Sequence, residues 1–136
     1  MITFNKKDHV MIFFTLLLTT SLHAKVHVRV TNGLDNNRVM TVHCQSRDDD
    51  IGYHVLEEGS AIGWSFNPNI WVTTLFYCDV KMGDSNIWYH FDAYDARRDY
   101  YRCWTMCRWI ITNEGSLYGF DEESGSWEWF PFSAFE

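Results

Sequence analysis

The chain has 136 residues, 11 Lys and Arg against 18 Asp and Glu for a net charge of −7, 46% hydrophobic and 18% aromatic residues, two prolines and four cysteines. This length and aromatic content suit one domain with one core and exclude a disordered chain, and without a repeat of about 20 to 50 residues a solenoid or propeller is excluded too. The charge argues against a nucleic-acid partner, because the chain as a whole repels polyphosphate and its close basic pair, Arg97 and Arg98, is flanked by Asp95 and Asp99.

Residues 1–24 read as a secretory signal peptide: Lys6 and Lys7 precede an apolar run from Val10 to Leu18, then small and polar residues lead to Ala24. The run is shorter than the ~20 residues a spanning helix needs, so stable membrane insertion is not expected. Cleavage after Ala24 is preferred over cleavage after Ser21, although it leaves the large Leu22 at the third position upstream. Residues 25–136 then form the mature domain, with 9 basic and 17 acidic residues.

Val26, Val28 and Val30 alternate with Lys25, His27 and Arg29, the period of a strand with one face buried. Asn32-Gly33 and Asp35-Asn36-Asn37 predict a turn, and 39–44 a second strand with Met40, Val42 and Cys44 on one face. Asp48-Asp49-Asp50 with Gly52 predicts a loop, 53–56 a short strand, Glu57-Glu58-Gly59 a turn, and 62–66 a strand ended by Asn67-Pro68-Asn69. Residues 71–80 read as a central strand carrying Cys78 on its more apolar face, and 87–93 as another with Ile87, Tyr89, Phe91 and Ala93 aligned. A charged loop is predicted over 95–99, extended segments over 101–105 and 107–112, a turn at 113–115, and strands over 117–120 and 127–130, the last with Trp127 and Trp129 on an inward face. About eight short strands without an amphipathic helix predict an all-β fold, a small antiparallel β-sandwich.

Cys44, Cys78, Cys103 and Cys107 all follow the export signal, and an even count in an oxidising compartment predicts two disulfides. If Cys103 and Cys107 share one strand they sit about 13 Å apart, beyond disulfide reach, so each must cross to Cys44 or Cys78. The expected pairing is Cys44 with Cys107 and Cys78 with Cys103. Metal binding with His43 lacks the paired spacing it needs.

The stretches 25–32, 42–52 (Val-His-Cys-Gln-Ser-Arg-Asp-Asp-Asp-Ile-Gly), 73–78 (Thr-Thr-Leu-Phe-Tyr-Cys) and 103–109, in this order and spacing, resemble the plant self-incompatibility S-protein homologue family. The resemblance covers the mature chain. It implies a small secreted β-sandwich with two disulfides, and a role like that of the founding members, stigma-secreted ligands that pollen recognises through a cell-surface receptor. Founding members are commonly glycosylated, whereas Asn32, Asn36, Asn37, Asn67, Asn69, Asn86 and Asn113 all lack the N-glycosylation pattern, so no N-glycan is expected here.

The acidic turns Asp48, Asp49 and Asp50 and Glu57-Glu58 are the expected receptor contacts. Calcium binding by the aspartates is disfavoured by the absence of EF-hand spacing, and His27, His43, His54 and His90 are expected as satisfied or exposed imidazoles, leaving no cofactor or metal. Neither a Gly-x-Ser-x-Gly motif nor a convergent acid pair occurs, and oxidised cysteines are inert, so no catalytic residue is expected. Among Trp64, Trp71, Trp88, Trp104, Trp109, Trp127 and Trp129, those left exposed offer an alternative reading, a secreted carbohydrate-binding module.

Overall fold

The computed structural model describes residues 25–113 and 115–135, so the segment 1–24 that reads as an export signal lies outside the described residues. Among the described residues ten strands form two five-stranded sheets. The first runs β4 (Ala61–Phe66), β1 (Val26–Gly33), β7 (Met106–Thr112), β8 (Leu117–Asp121), β9 (Ser126–Phe130). The second runs β10 (Ser133–Phe135), β6 (Trp88–Asp95), β5 (Leu75–Met82), β2 (Met40–Gln45), β3 (Asp50–Leu56). All neighbours are antiparallel except β1 and β7, which run parallel in the middle of the first sheet.

Alternation explains the core. Val26, Val28 and Val30 of β1 face Met40, Val42 and Cys44 of β2 and Cys78 and Val80 of β5, joined by Phe91, Ala93, Trp109, Ile111 and Leu117. Asn32, expected in a turn, is instead the last inward position of β1 and is fully buried. Its amide donates to the carbonyls of Arg38 and Leu56, each at 2.9 Å, and accepts from Leu34 N at 2.9 Å. The side chain thus supplies partners to loop backbone that no strand satisfies.

Three other expectations are corrected. Residues 71–74 are not strand: the Asn69 carboxamide oxygen accepts from the amides of Trp71 and Thr73, each at 3.1 Å, and curls the backbone into a turn. Residues 95–99 are not simply a loop, because Asp95 caps a short helix α1 (Ala96–Asp99) by accepting from Arg97 N at 3.0 Å. Trp127 and Trp129 point outward, since the inward positions paired with β8 fall to Glu128 and Phe130.

The cysteine pairing also differs from Cys44 with Cys107 and Cys78 with Cys103. The bridges are Cys44–Cys78 and Cys103–Cys107. Cys44 and Cys78 are direct register partners on adjacent strands, with Cα atoms 4.1 Å apart. Cys103 belongs to the turn after α1, with its amide donating to Asp99 O at 3.0 Å, so the chain folds back and the Cys103–Cys107 Cα separation is 5.1 Å rather than that of a strand.

That turn is built on a buried carboxylate. Asp99 is fully buried and accepts from Arg98 Nε and Nη2, each at 2.7 Å, from Arg102 Nε at 2.8 Å and from Asp95 N at 2.9 Å. The Arg102 guanidinium lies 4.6 Å from the Trp109 ring centroid and 5.2 Å from that of Phe130, and its Nη1 donates to Phe120 O at 2.9 Å. Gly119 makes room for it: a Cβ there would stand 2.9 Å from Arg102 Nη1 and 2.8 Å from the Trp109 ring.

Removing one member of a buried charge network leaves the others desolvated and unpaired. Asp99→Ala is expected to lower the unfolding free energy by about 3–5 kcal/mol, read from urea midpoints. The two bridges should differ as well. In the chain-entropy account the Cys44–Cys78 bridge, of sequence separation 34, contributes about 4 kcal/mol and Cys103–Cys107, of separation 4, about 2 kcal/mol. Replacing the first pair by alanines should therefore lower the urea midpoint further than replacing the second.

Candidate recognition surface

The expected acidic contacts do not form one patch. Asp48 and Asp49 sit on an exposed bend between β2 and β3, and β3 then carries the chain about 20 Å to Glu57 and Glu58 at the opposite end of the sandwich. There Glu58 accepts from Asn37 N at 3.2 Å, beside the β1–β2 loop. Asp50 begins β3 and is tied down: its Oδ1 accepts from Gly52 N at 2.8 Å and from His43 Nε2 at 2.7 Å. The Gly52 amide, and after it the His43 imidazole, hold the Asp50 carboxyl below the usual carboxylate range.

The other histidines in the second sheet are engaged too. His54 Nε2 lies 3.0 Å from Ile51 O, and His90 Nδ1 lies 2.8 Å from Asp79 Oδ1. Among the described residues no group of three His, Cys, Asp or Glu side chains is placed to hold a metal ion.

What gathers beside Asp48 and Asp49 is a set of aromatic and apolar groups that the acidic motifs do not announce. The β4–β5 loop, 67–74, is clasped from within. Asn69 N donates to Thr74 Oγ1 at 2.8 Å, and Asn69 Nδ2 to Thr73 Oγ1 at 2.9 Å, in addition to the two amides its side-chain oxygen accepts. Val72 is held at φ 59°, a left-handed conformation that a β-branched residue rarely adopts. The result is a tight loop that presents Ile70 and Trp71 to solvent, with Trp71 76% exposed.

This loop is a wall shared by two clefts. On one side a cleft of about 600 Å³ separates Pro68, Ile70 and Val72 from Tyr94, Tyr100, Tyr101 and Trp104. On the other, a cleft of about 730 Å³ separates Asn67, Thr73 and Tyr77 from Arg47, Asp48 and Asp49. Tyr100 and Tyr101 stand T-shaped at 4.9 Å immediately after α1, so the Asp99 network determines where they point. The signal available in the sequence was Asn69 followed by three apolar residues and two threonines, the composition of a side-chain-clasped turn.

Burial, then the charges of Asp99 and Asp95, push the Tyr94 phenol up to about 12. A raised folded pKa means that the unfolded chain releases the proton first. This stabilisation is complete below pH 10 and disappears as pH rises through 12. Tyr94→Phe should therefore flatten the loss of stability between pH 10 and 12, followed by denaturant unfolding at each pH.

Comparison with known proteins agrees with this architecture. The profile of plant self-incompatibility protein S1 matches residues 27–131. The chain is 40% identical to S-protein homolog 24 of Arabidopsis thaliana over 70% of its own length and 61% of that protein's, and 37% identical to S-protein homolog 27 over 75% and 66%. It thus spans about two thirds or less of those two relatives. It is 34% identical to self-incompatibility protein S1 of Papaver rhoeas, over 88% of this chain and 85% of the poppy protein. A solved structure described as one of the SPH proteins, "a widespread family of small, highly stable, secreted proteins from plants", shares the fold with TM-score 0.57 and 16% identity, over 79% of this chain and 96% of the other.

Proposed function

We propose that this chain, which belongs to the plant self-incompatibility protein S1 family and is secreted and extracellular, is a signalling ligand that a cell-surface receptor recognises through the loop end of the sandwich. It acts by being bound rather than by transforming a molecule. The observation that carries this reading is the Asn69-clasped loop, which holds Ile70 and Trp71 exposed between two clefts. An exposed tryptophan on a loop that is already ordered loses little entropy on docking, and it supplies the large contact area typical of binding hot spots. Asp48 and Asp49, at the rim of the second cleft, favour a receptor with a basic patch and would act mainly on the association rate. Glu57 and Glu58, at the far end, belong to a second contact only if the receptor spans the molecule. Pollen–stigma recognition is the setting that the family's name suggests for such a ligand.

The test is binding of the oxidised, fluorescently labelled protein to intact plant cells. Saturable binding that is abolished by brief protease treatment of the cell surface is expected. Ile70→Ala with Trp71→Ala should weaken it at least tenfold, and Asp48→Asn with Asp49→Asn should slow association at low salt while leaving dissociation unchanged. Binding that survives the protease, or that ignores both pairs of substitutions, overturns the proposal.

A further inference from the structure

The outer face of the first sheet has a chemistry unlike the rest of the molecule. Register lines its outward positions up in rows across all five strands. One row runs Gly63, Arg29, Arg108, Phe120, Trp127, and the next runs Ala61, Thr31, Ile110, Tyr118, Trp129. Four inter-strand steps of about 4.8 Å make each row about 19 Å long. In a chain of net charge −7, no aspartate or glutamate occupies an outward position of β4, β1, β7, β8 or β9 among the described residues.

Arg29 and Arg108 are direct register partners, and like charges facing each other across a strand pair are destabilising. Neither forms a salt bridge among the described residues. The nearby acid, Glu122, feels the Arg108 charge but spends its oxygens on Met106 N, Thr105 N and Thr105 Oγ1, at 2.8, 3.0 and 2.6 Å. Arg108 lies 5.4 Å from the Phe120 ring centroid, and Phe120 meets Trp127 at 5.4 Å. Trp127 and Trp129 are 48% and 63% exposed. At the other end of the row the sheet is indented beside Arg29 by a depression of about 400 Å³, lined by His27, Gly63, Ser65 and Met106.

We infer that this face binds a linear acidic polysaccharide, a polyuronate, lying along the rows, with Arg29 and Arg108 taking its carboxylates and Trp127 and Trp129 stacking on its sugar rings. Planar guanidinium groups match carboxylates, and an exposed indole ring offers a flat apolar platform to the C–H face of a pyranose. The repulsion between the two arginines then becomes attraction for an anion placed between them. A single-stranded nucleic acid fits less well, because it needs a basic groove along its whole backbone and meets the repulsion of the net charge. An anionic bilayer calls for clusters of about four to eight basic residues, and this face has two arginines. The site lies on a sheet face and not on the loop end, so it stands or falls independently of receptor recognition.

The experiment titrates the oxidised, secreted protein with oligogalacturonate and follows tryptophan fluorescence and calorimetry. The same titration is run with the fully methyl-esterified oligomer, with a neutral glucan oligomer, with oligothymidylate and with vesicles containing phosphatidylserine. Saturable binding of the free acid that weakens with salt is expected, with the ester and the glucan at least tenfold weaker. Arg29→Gln with Arg108→Gln should weaken binding at least tenfold while leaving the thermal midpoint equal or higher, because a like-charge contact is relieved. Trp127→Ala with Trp129→Ala should abolish the fluorescence change. Equal affinity for ester and acid, full affinity in the double arginine variant, or tighter binding of oligothymidylate or the vesicles would each overturn the inference.

Discussion

The carboxylate of Asp99 is the constraint on which the turn side of this molecule depends. Fully buried, it draws two guanidinium groups and a backbone amide around itself. Those contacts hold α1 against β6, lay Arg102 between Trp109 and Phe130, and bring Cys103 back toward Cys107. A buried charge network of this kind is less a source of net stability than a device that permits one arrangement, since any other leaves an ion without partners. Here the arrangement permitted is the one that projects Tyr100 and Tyr101 into the cleft opposite Ile70.

Two kinds of surface are thereby separated on one small scaffold. The loop end is apolar and acidic, made of short clasped segments, and is supported by side-chain hydrogen bonds rather than by strand pairing. The outer face of the first sheet is basic and aromatic, laid out by register, and as rigid as the sheet itself. Neither brings a nucleophile, a base and an orienting group together among the described residues, and both are suited to holding a partner.

Much of the fold was legible because period-two alternation survives wherever one strand face is buried. Val26, Val28 and Val30, and again Cys78 and Val80, identify their own inward side. What alternation cannot show is where a side chain replaces strand pairing. Asn69 and Asp95 each convert apparent strand or loop into a capped turn, and the misread 101–105 segment followed from the second of these. That misreading in turn displaced the disulfides, because a bridge between residues four apart is forbidden on a strand and ordinary on a turn. Trp127 and Trp129 were assigned the wrong side because their alternation is symmetric: only the pairing of Phe130 with Leu117 tells which parity faces the core. The acidic motifs were conspicuous, yet Asp50 proved to be committed within the sheet, and the exposed tryptophan of the β4–β5 loop was signalled only by the asparagine and threonines that clasp its turn.

The parallel union of β1 with β7 gives the chain a particular order of assembly. Four strands of the second sheet, β2, β3, β5 and β6, follow one another with only β4 between, and the Cys44–Cys78 bridge joins two of them, although β10 completes that sheet last. The first described strand, by contrast, stands between β4 and β7, and both its edges are covered only once the chain has run on through β7 to Thr112. Until then one edge of β1 stays open, an unpaired row of backbone groups of the kind that invites pairing with another chain.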